Sequence, residues 1–593
     1  MQVREITIFE RTGQVGTGMP FSPVTTDRFN MSNISSEELP ELPVTLVEWL
    51  ESQDPQVMRE LGIEEVVDRR KIYSRLVLGR YFHEQFETLA GRLRAVGVEV
   101  TIRVDFTVTD IRDDFPRAKI EVDGKNGFFA RFDRVIIATG HTWEEADEPE
   151  RGYFTSPWPM AKLLPAEGEI YDFPVGTLGA SLSAFDVVSS LAHRHGSFTR
   201  EGERTVYRPH PGAEGFKLVL HASEGLLPHL RFDVEELKRN IYRYTDRESL
   251  RRLRDDAGFL RLDRFFDSVC RPALIEAFRK DRLPELAARL IEPGFGVVDF
   301  AAAMTADHHY DDPFAGMRKE LVEAGRSVEG RQPVHWKETI DDLMYTLNYH
   351  AEWLPAEDHI VLRGKVMPFL MNVIAAMPLD SAEEILALHA AGTIELVAGR
   401  ITVGESDRDQ FTRILVSGYG REWTEDYRLF IDCSGQQPLD IEGYPFPSLR
   451  HQGLVTPARA RFAEVPDPDY LPEKVRERVV ISGGDALLTL PGIAVDGAYR
   501  PIGLAGVPHP RIHDITFPHT AGLRPYSYGL QACDDAGAIV VQAWIEEMSG
   551  DPAKSSRCGK IIAYGNGMNH ACLQSRACAG DHHLRTGSPP GIP

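Results

Sequence analysis

The residues best placed to do chemistry cradle a ligand and do not attack one. Val175-Gly176-Thr177-Leu178 is an apolar run that ends in Gly179-Ala180-Ser181-Leu182-Ser183-Ala184. A strand that turns through small residues into a helix leaves free backbone N–H groups and a positive dipole end, the surroundings a pyrophosphate needs. The pattern is Gly-x-Ser-x-x-Ala and not Gly-x-Gly-x-x-Gly, yet Gly179, Ser181, Ser183 and Ala184 are all small enough for close approach. A ligand-free β-turn-α connection is the competing reading, and binding is favoured over it. Residues 3–10, Val-Arg-Glu-Ile-Thr-Ile-Phe-Glu, read as a strand ending in an acid. The Glu10 carboxylate there can accept both hydroxyls of an adenosine ribose, or simply face solvent. Gly16-Thr17-Gly18-Met19-Pro20-Phe21-Ser22 and Asn30-Met31-Ser32-Asn33 form a loop whose glycines let backbone approach a flat ring or a phosphate. Two apolar strands end alike, in Ala138-Thr139-Gly140-His141 and in Cys433-Ser434-Gly435-Gln436, so each chain can pass tightly over a bound dinucleotide. Phe517-Pro518-His519-Thr520 leads toward the last helix, where His519 or Arg524 would lie near the polar edge of a flavin ring.

Other chemistries find little support. Cys433 has no basic neighbour in sequence and reads as packing. Asp307, His308, His309, Asp311 and Asp312 match no standard ligand spacing and read as a solvated loop, so no metal is expected. The six cysteines lack paired C-x-x-C spacing, which argues against a structural zinc and for a reduced, cytoplasmic protein. No nucleophile elbow, Walker loop or His-Glu-x-x-His helix occurs. A net charge of 66 − 89 = −23 disfavours nucleic acid and anionic membranes as partners. No apolar run is long enough to span a bilayer.

The elements that must position these residues follow from periodicity. At 593 residues, two or three domains are expected. Helices are expected around 44–51 and 71–96, and strands at 99–103, 119–122 and 134–138. The α/β pattern restarts with a strand at 171–178, a helix at 182–193 and a strand at 218–221. Residues 232–391 read as mostly helical. Strands return between 394 and 416 and at 427–433, and short β-like segments at 479–484 and 512–517 precede a helix over 530–548. The tail after Asp551 loses periodicity and reads as disordered.

In order, these motifs resemble the bacterial FAD/NAD(P)-binding flavoproteins of the two-dinucleotide-domain group, relatives of flavin-dependent N-hydroxylating and Baeyer–Villiger monooxygenases. The most specific stretch runs from Gly16 to Leu50, Gly-x-Gly-Met-Pro-Phe-Ser…Asn-Met-Ser-Asn-Ile…Leu-Pro…Glu-Trp-Leu. Arg75-x-x-x-Gly79-x-Tyr81, Ala138–His141, Gly179–Ala184 and Gly225-Leu226-Leu227-Pro228 resemble further signatures of the group. The resemblance implies an α/β fold with two Rossmann-like dinucleotide-binding domains, for FAD and NAD(P), and a helical insertion. It divides the chain into a first FAD part (1–165), a NAD(P) unit (166–231), the insertion (232–392), strands completing the NAD(P) domain (393–440), a second FAD part (441–550) and the tail (551–593). NAD(P)H would reduce FAD, and the reduced flavin would react with oxygen to oxygenate a small-molecule substrate. The cofactor-binding residues implied are Glu10, Gly16, Gly18, Pro20, Asn30, Arg75, Thr139, Gly140, Gly179, Ser181, Ser183, Gly435 and His519. Two departures stand out. The Glu10 strand should be the second of its βαβ unit, with a glycine turn about 20 residues upstream, so the chain reads as N-terminally truncated. Ser223 and Glu224 occupy the place of an Arg often found before Gly-Leu-Leu-Pro, which favours NADH over NADPH. The alternative is a nucleotide-binding protein that has lost FAD binding.

Overall fold

Five separated stretches of chain build the central sheet. In the computed structural model, which describes residues 3–63, 66–141, 143 and 145–549, its strands run in the order Ile394–Ala398, Lys217–Ala222, Pro174–Leu178, Leu429–Asp432, Tyr153–Phe154. Every pairing is parallel. Parallel strands are covered on both faces and so demand continuous apolar runs, which Val175, Leu218, Leu220, Phe430 and Ile431 supply as buried side chains. From Pro174–Leu178 the chain moves outward on one side, then crosses back to lay Leu429–Asp432 on the other. That reversal is a topological switch point, and a crevice at the carboxyl ends of these two strands is where an open α/β sheet receives its ligand.

An antiparallel meander, Arg400–Glu405, Thr412–Gly418 and Arg421–Tyr427, interrupts the returning chain. It covers the sheet through Ile414, Val416 and Tyr427 against Val219 and Phe430. The hairpin Gly196–Glu201/Arg204–Pro209 follows the Leu182–His195 helix directly. Neither the hairpin nor the third meander strand is expected from periodicity, because their polar, half-exposed residues carry no clean alternation.

Two more parallel pairs are Glu5–Phe9 with Glu99–Arg103, within the N-terminal part, and Val135–Ile137 with Ile512–Asp514, which joins it to the C-terminal part. Among the described residues each of these four strands has one partner. The helix expected from Lys71 starts later, as Arg75–Ala95. Ile72–Ser74 is instead a short strand against Met31–Ser35, and the Ser74 hydroxyl accepts from the Val77 N–H as the helix cap.

The expected helical region contains the largest apolar cluster, including Phe266, Leu274, Phe278, Phe300, Leu343 and Phe369. It is continuous with Tyr499, Tyr526, Ala532 and Ile539 of the C-terminal part, so the insertion is anchored on the last helix, Leu530–Ser549. The segment expected as a solvated loop is shorter than it reads. The Val297–Asp307 helix runs up to His308, and Asp312 caps the next helix by accepting from the Phe314 and Ala315 N–H groups at 2.9 and 3.0 Å. No described helix is long and apolar enough to cross a membrane. The tail read as disordered lies outside the described residues.

Candidate functional site

Three of the small-residue motifs meet at one end of the molecule. The Val135–Ile137 and Ile512–Asp514 strands deliver Thr139 and Thr516 side by side, with the Thr139 N–H donating to Thr516 Oγ1 at 3.1 Å. Beyond them His141 Nδ1 lies 2.9 Å from Gln436 Oε1, which ties this loop to the one that follows Leu429–Asp432. Burial lowers the His141 imidazole below its ordinary range, so it meets Gln436 as a neutral ring. Gly140 and Gly435 both have positive φ, +70° and +101°, and a Cβ on either would meet nothing within 4 Å. The backbone is therefore bare toward open space at two facing turns, which fits the approach of a flat ring.

A buried polar cluster stiffens the floor of this region. Asp514 accepts from the Tyr444 hydroxyl at 3.0 Å and from the Thr516 N–H at 3.0 Å, and lies 2.8 Å from His519 Nδ1. Burial and Asp514 push the Tyr444 phenol well above its usual range, so it remains a donor. His519 thus sits in the short Phe517–Thr520 helix with one ring nitrogen fixed. An Asp514→Asn variant turns an acceptor into a donor facing Tyr444 and His519. It is expected to lose about 1–3 kcal/mol, read from urea unfolding curves. Arg524, the alternative to His519, is buried and ion-paired with Glu352 at 2.6 Å, which joins the insertion to the C-terminal part.

The turn after Pro174–Leu178 meets the same crevice. Gly179 lies against the Cys433 carbonyl, and the Cys433 N–H donates to Leu178 O at 2.8 Å. Burial drives the Cys433 thiol far above its usual range, in keeping with packing and not nucleophilic chemistry. Ser181 stands at the N-cap of the Leu182–His195 helix with no side-chain cap bond and is exposed. The first-turn N–H groups, Ser183 among them, carry no side-chain cap and can receive an anion.

The remaining expected site residues build the frame. Asn30 is fully buried. Its Nδ2 donates to Asp186 O at 3.0 Å and Ser190 Oγ at 2.9 Å, while its Oδ1 accepts from the Asp27 N–H and the Thr26 hydroxyl. Arg75 Nη2 pairs with Asp186 Oδ2 at 2.6 Å, and its Nε donates to Met31 O. Both side chains therefore clip the N-terminal loop to the nucleotide-unit helix. Gly16 lies against Phe82 and Phe86 of the Arg75–Ala95 helix, where a Cβ would be 2.8 Å from Phe86 Cβ. Gly18 and Pro20 form the short turn Gly18–Phe21 beside it. Glu10 accepts from the Thr12 N–H at 2.7 Å and the Thr12 hydroxyl at 2.8 Å, which holds its carboxylate at the strand end.

Sequence reading gave no individual role to Asp186, Asp514 or Gln436. Asp186 lies two residues beyond the glycine-turn motif, and its partner is 111 positions away, so no local spacing marks it. The fit to FAD is mixed. The bare turns at Gly140 and Gly435 suit a ring, while no glycine turn packs on Glu5–Phe9 among the described residues.

Two family models match parts of the chain. Residues 2–142 match the family model described as FAD-NAD(P)-binding, and residues 245–374 match the YdhS-like middle domain. Over 552 residues the chain is 28% identical to the uncharacterized protein YdhS of Escherichia coli (strain K12), covering 92% of this chain and 93% of that protein. Among solved structures it is similar to the ornithine N-hydroxylase KtzI of Kutzneria sp. 744, at 12% identity, 91% and 92% coverage and a TM-score of 0.41. It is also similar to DfoA, a cadaverine monooxygenase from Erwinia amylovora, at 11% identity, 92% and 88% coverage and a TM-score of 0.41. The match over residues 2–142 meets the expectation raised by the motifs: the chain carries an FAD/NAD(P)-binding domain, followed in sequence by a YdhS-like middle domain.

Proposed function

We propose that the protein is an FAD-dependent oxidoreductase that takes reducing equivalents from NAD(P)H and, within that class, a monooxygenase acting on a small molecule. One observation carries the reading. The His141–Gln436 hydrogen bond joins the loop of the FAD-type strand to the loop of the nucleotide-unit strand, so the small-residue turns that would receive the two cofactors lie side by side. A hydride donor held at one turn would then face an acceptor held at the other. When bound, FAD would supply the two-electron chemistry, and the chain supplies position and exclusion of water. In this reading Gly179, Ser181 and Ser183 hold the NAD(P) pyrophosphate, Glu10 the FAD ribose, and Thr139, Gly140, Gly435 and His519 border the ring. Gly16, Gly18, Pro20, Asn30 and Arg75 fix the loop that covers it. Exposed Glu224 beside the nucleotide strand repels a 2′-phosphate and favours NADH. The described cysteines, Cys270, Cys433 and Cys533, are free thiols, which suits a reducing cytoplasm.

The test is an absorbance spectrum of the protein mixed with FAD, recorded anaerobically before and after NADH or NADPH. The expected result is a yellow complex bleached faster by NADH, and re-oxidised on admitting air. A protein that stays colourless and retains no FAD would sink the reading. It would favour a nucleotide-binding protein without flavin, the reading supported by the Glu5–Phe9 and Val135–Ile137 strands, each with one partner among the described residues.

A further inference from the structure

We propose that Arg363, Arg478 and His359 bind the oxyanion of a small molecule, a carboxylate or a phosphate, where the helical insertion meets the C-terminal part. This deepens the oxidoreductase reading and rests on it, because it gives the substrate an acidic group. Ala356 and Ile360 of the Ala356–Val361 helix share one apolar cluster with Ala486, Leu488 and Val479 of the paired strands Val479–Ser482 and Asp485–Ile493. His359 lies in that helix. Arg363 follows four residues on, in the π-helical turn Leu362–Val366, so the two side chains leave one side of the helix. Arg478 immediately precedes Val479. All three therefore border the same cluster.

The charges are the anomaly. A guanidinium taken out of water is expected to face a carboxylate. Arg363 faces none. Its Nη2 donates to Ala521 O at 2.7 Å and to Gly522 O at 2.9 Å, and among the described residues it makes no ion pair. Its Nε is buried without a partner. Burial, and after it the Arg478 charge, lower the Arg363 guanidinium to about 10, and no acid pulls the other way. Carbonyls and water satisfy N–H groups, but they do not neutralise a cation. The acids nearest in sequence are spent elsewhere, Glu357 and Asp358 on Arg261 and Glu352 on Arg524. Arg478 is exposed and also has no ion pair among the described residues, so the pair can be reached from solvent. His359 is fully buried, and neither ring nitrogen makes a well-formed hydrogen bond. Burial and the Arg363 charge outweigh the Ala351 backbone and lower its imidazole to about 3, so it offers a neutral N–H. Two cations and one orphaned donor thus lack an internal anion, in a chain whose net charge is −23. An oxyanion supplies both the charge and the acceptors. Ala521 and Gly522, which Arg363 grips, directly follow the Phe517–Thr520 helix that carries His519. A substrate held here by its acid would have its other end toward the ring that His519 borders.

Flavin-free full-length protein, titrated with inorganic phosphate and with acetate at constant ionic strength, should show one calorimetric binding site per chain that these residues control. The tighter of the two anions tells a phosphate ester from a carboxylic acid. Arg478→Gln and Arg363→Met should each weaken binding by about 10- to 100-fold, the loss of a charged hydrogen-bond partner. His359→Phe removes a neutral donor and should cost about 3- to 10-fold. Arg476→Gln removes an equal exposed charge two positions away and should change nothing. No saturable binding would overturn the proposal. So would equal binding by the parent and Arg478→Gln, which would place the anion at another site such as the Ser183 turn. Arg478 is on the surface, so a misfolded Arg363 variant does not remove the test. The titration needs no flavin, which separates the two readings. A colourless protein that binds the anion through these residues loses the oxidoreductase and keeps the site. A yellow protein bleached by NADH that binds no anion loses the site alone.

Discussion

Gly79→Ala is expected to destabilise the protein by about 3 kcal/mol, although alanine is the better helix former by about 1 kcal/mol. Gly79 lies in the second turn of the Arg75–Ala95 helix, where a Cβ would stand 2.0 Å from the carbonyl oxygen of Phe21. The obstacle is backbone, so no rotamer relieves it. Either the helix withdraws or the Gly18–Phe21 turn is pushed away, and Phe21 loses its edge contact with Phe82. Gly91 of the same helix is the internal comparison, since a Cβ there meets nothing within 4 Å. Gly91→Ala should stabilise by about 0.5–1 kcal/mol. Urea unfolding of the two variants gives opposite signs if the contact matters. Two stabilised variants would show that the turn is not packed on the helix. Because the turn carries Gly18 and Pro20, with Gly16 just before it, Gly79→Ala should lose flavin uptake together with stability.

The same helix shows how much was legible in the sequence and why the rest was not. Arg75-x-x-x-Gly79-x-Tyr81 could be matched to a family pattern, but its physical meaning needs three distant partners. Arg75 reaches Asp186, Gly79 receives Phe21, and the Tyr81 hydroxyl donates to Val44 O at 2.6 Å. Strand-to-helix units announce themselves by continuous apolar runs, which is why the central sheet and the Leu182–His195 helix are readable. The meander and the hairpin are half exposed, and their pairing is set by neighbours far along the chain. The convergence of Thr139–His141, Ser434–Gln436 and Thr516–His519 was readable only as three similar endings, because sequence does not say which strand ends share a crevice. His308 shows the opposite failure. Its acidic neighbours read as a solvated loop, yet the helix end turns the ring inward against His229 and Glu320, and neither partner lies close in sequence.

Arg75→Met should show a loss of stability that depends on pH, near parental at about pH 5 and reaching about 3–5 kcal/mol at about pH 8. Asp186 is buried, and burial raises its carboxyl to about 7 against the opposing pull of Arg75. An unfolded aspartate titrates near about 3.9. Between these values the folded chain binds more protons than the unfolded one, so this group's contribution is full below about pH 4 and is lost as pH rises through about 7. The guanidinium at 2.6 Å offsets that loss in the parent. Methionine keeps much of the volume and removes the charge, so the carboxyl titrates higher still and its ionisation at alkaline pH is left without a partner. The double variant Arg75→Met/Asp186→Asn should recover most of the loss and unfold with no added pH dependence, because no carboxyl is left to ionise at this contact. Denaturation midpoints at the two pH values decide the matter. An equal loss at both would mean that Arg75 acts by packing on Trp158, whose ring lies 5.5 Å from its guanidinium. Asn30 and Arg75 grip the same helix, Asn30 through the backbone of Asp186 and the hydroxyl of Ser190. Loosening this clip therefore also lets the N-terminal loop move against the nucleotide unit, and the single variant should take up FAD more weakly at about pH 8 than at about pH 5.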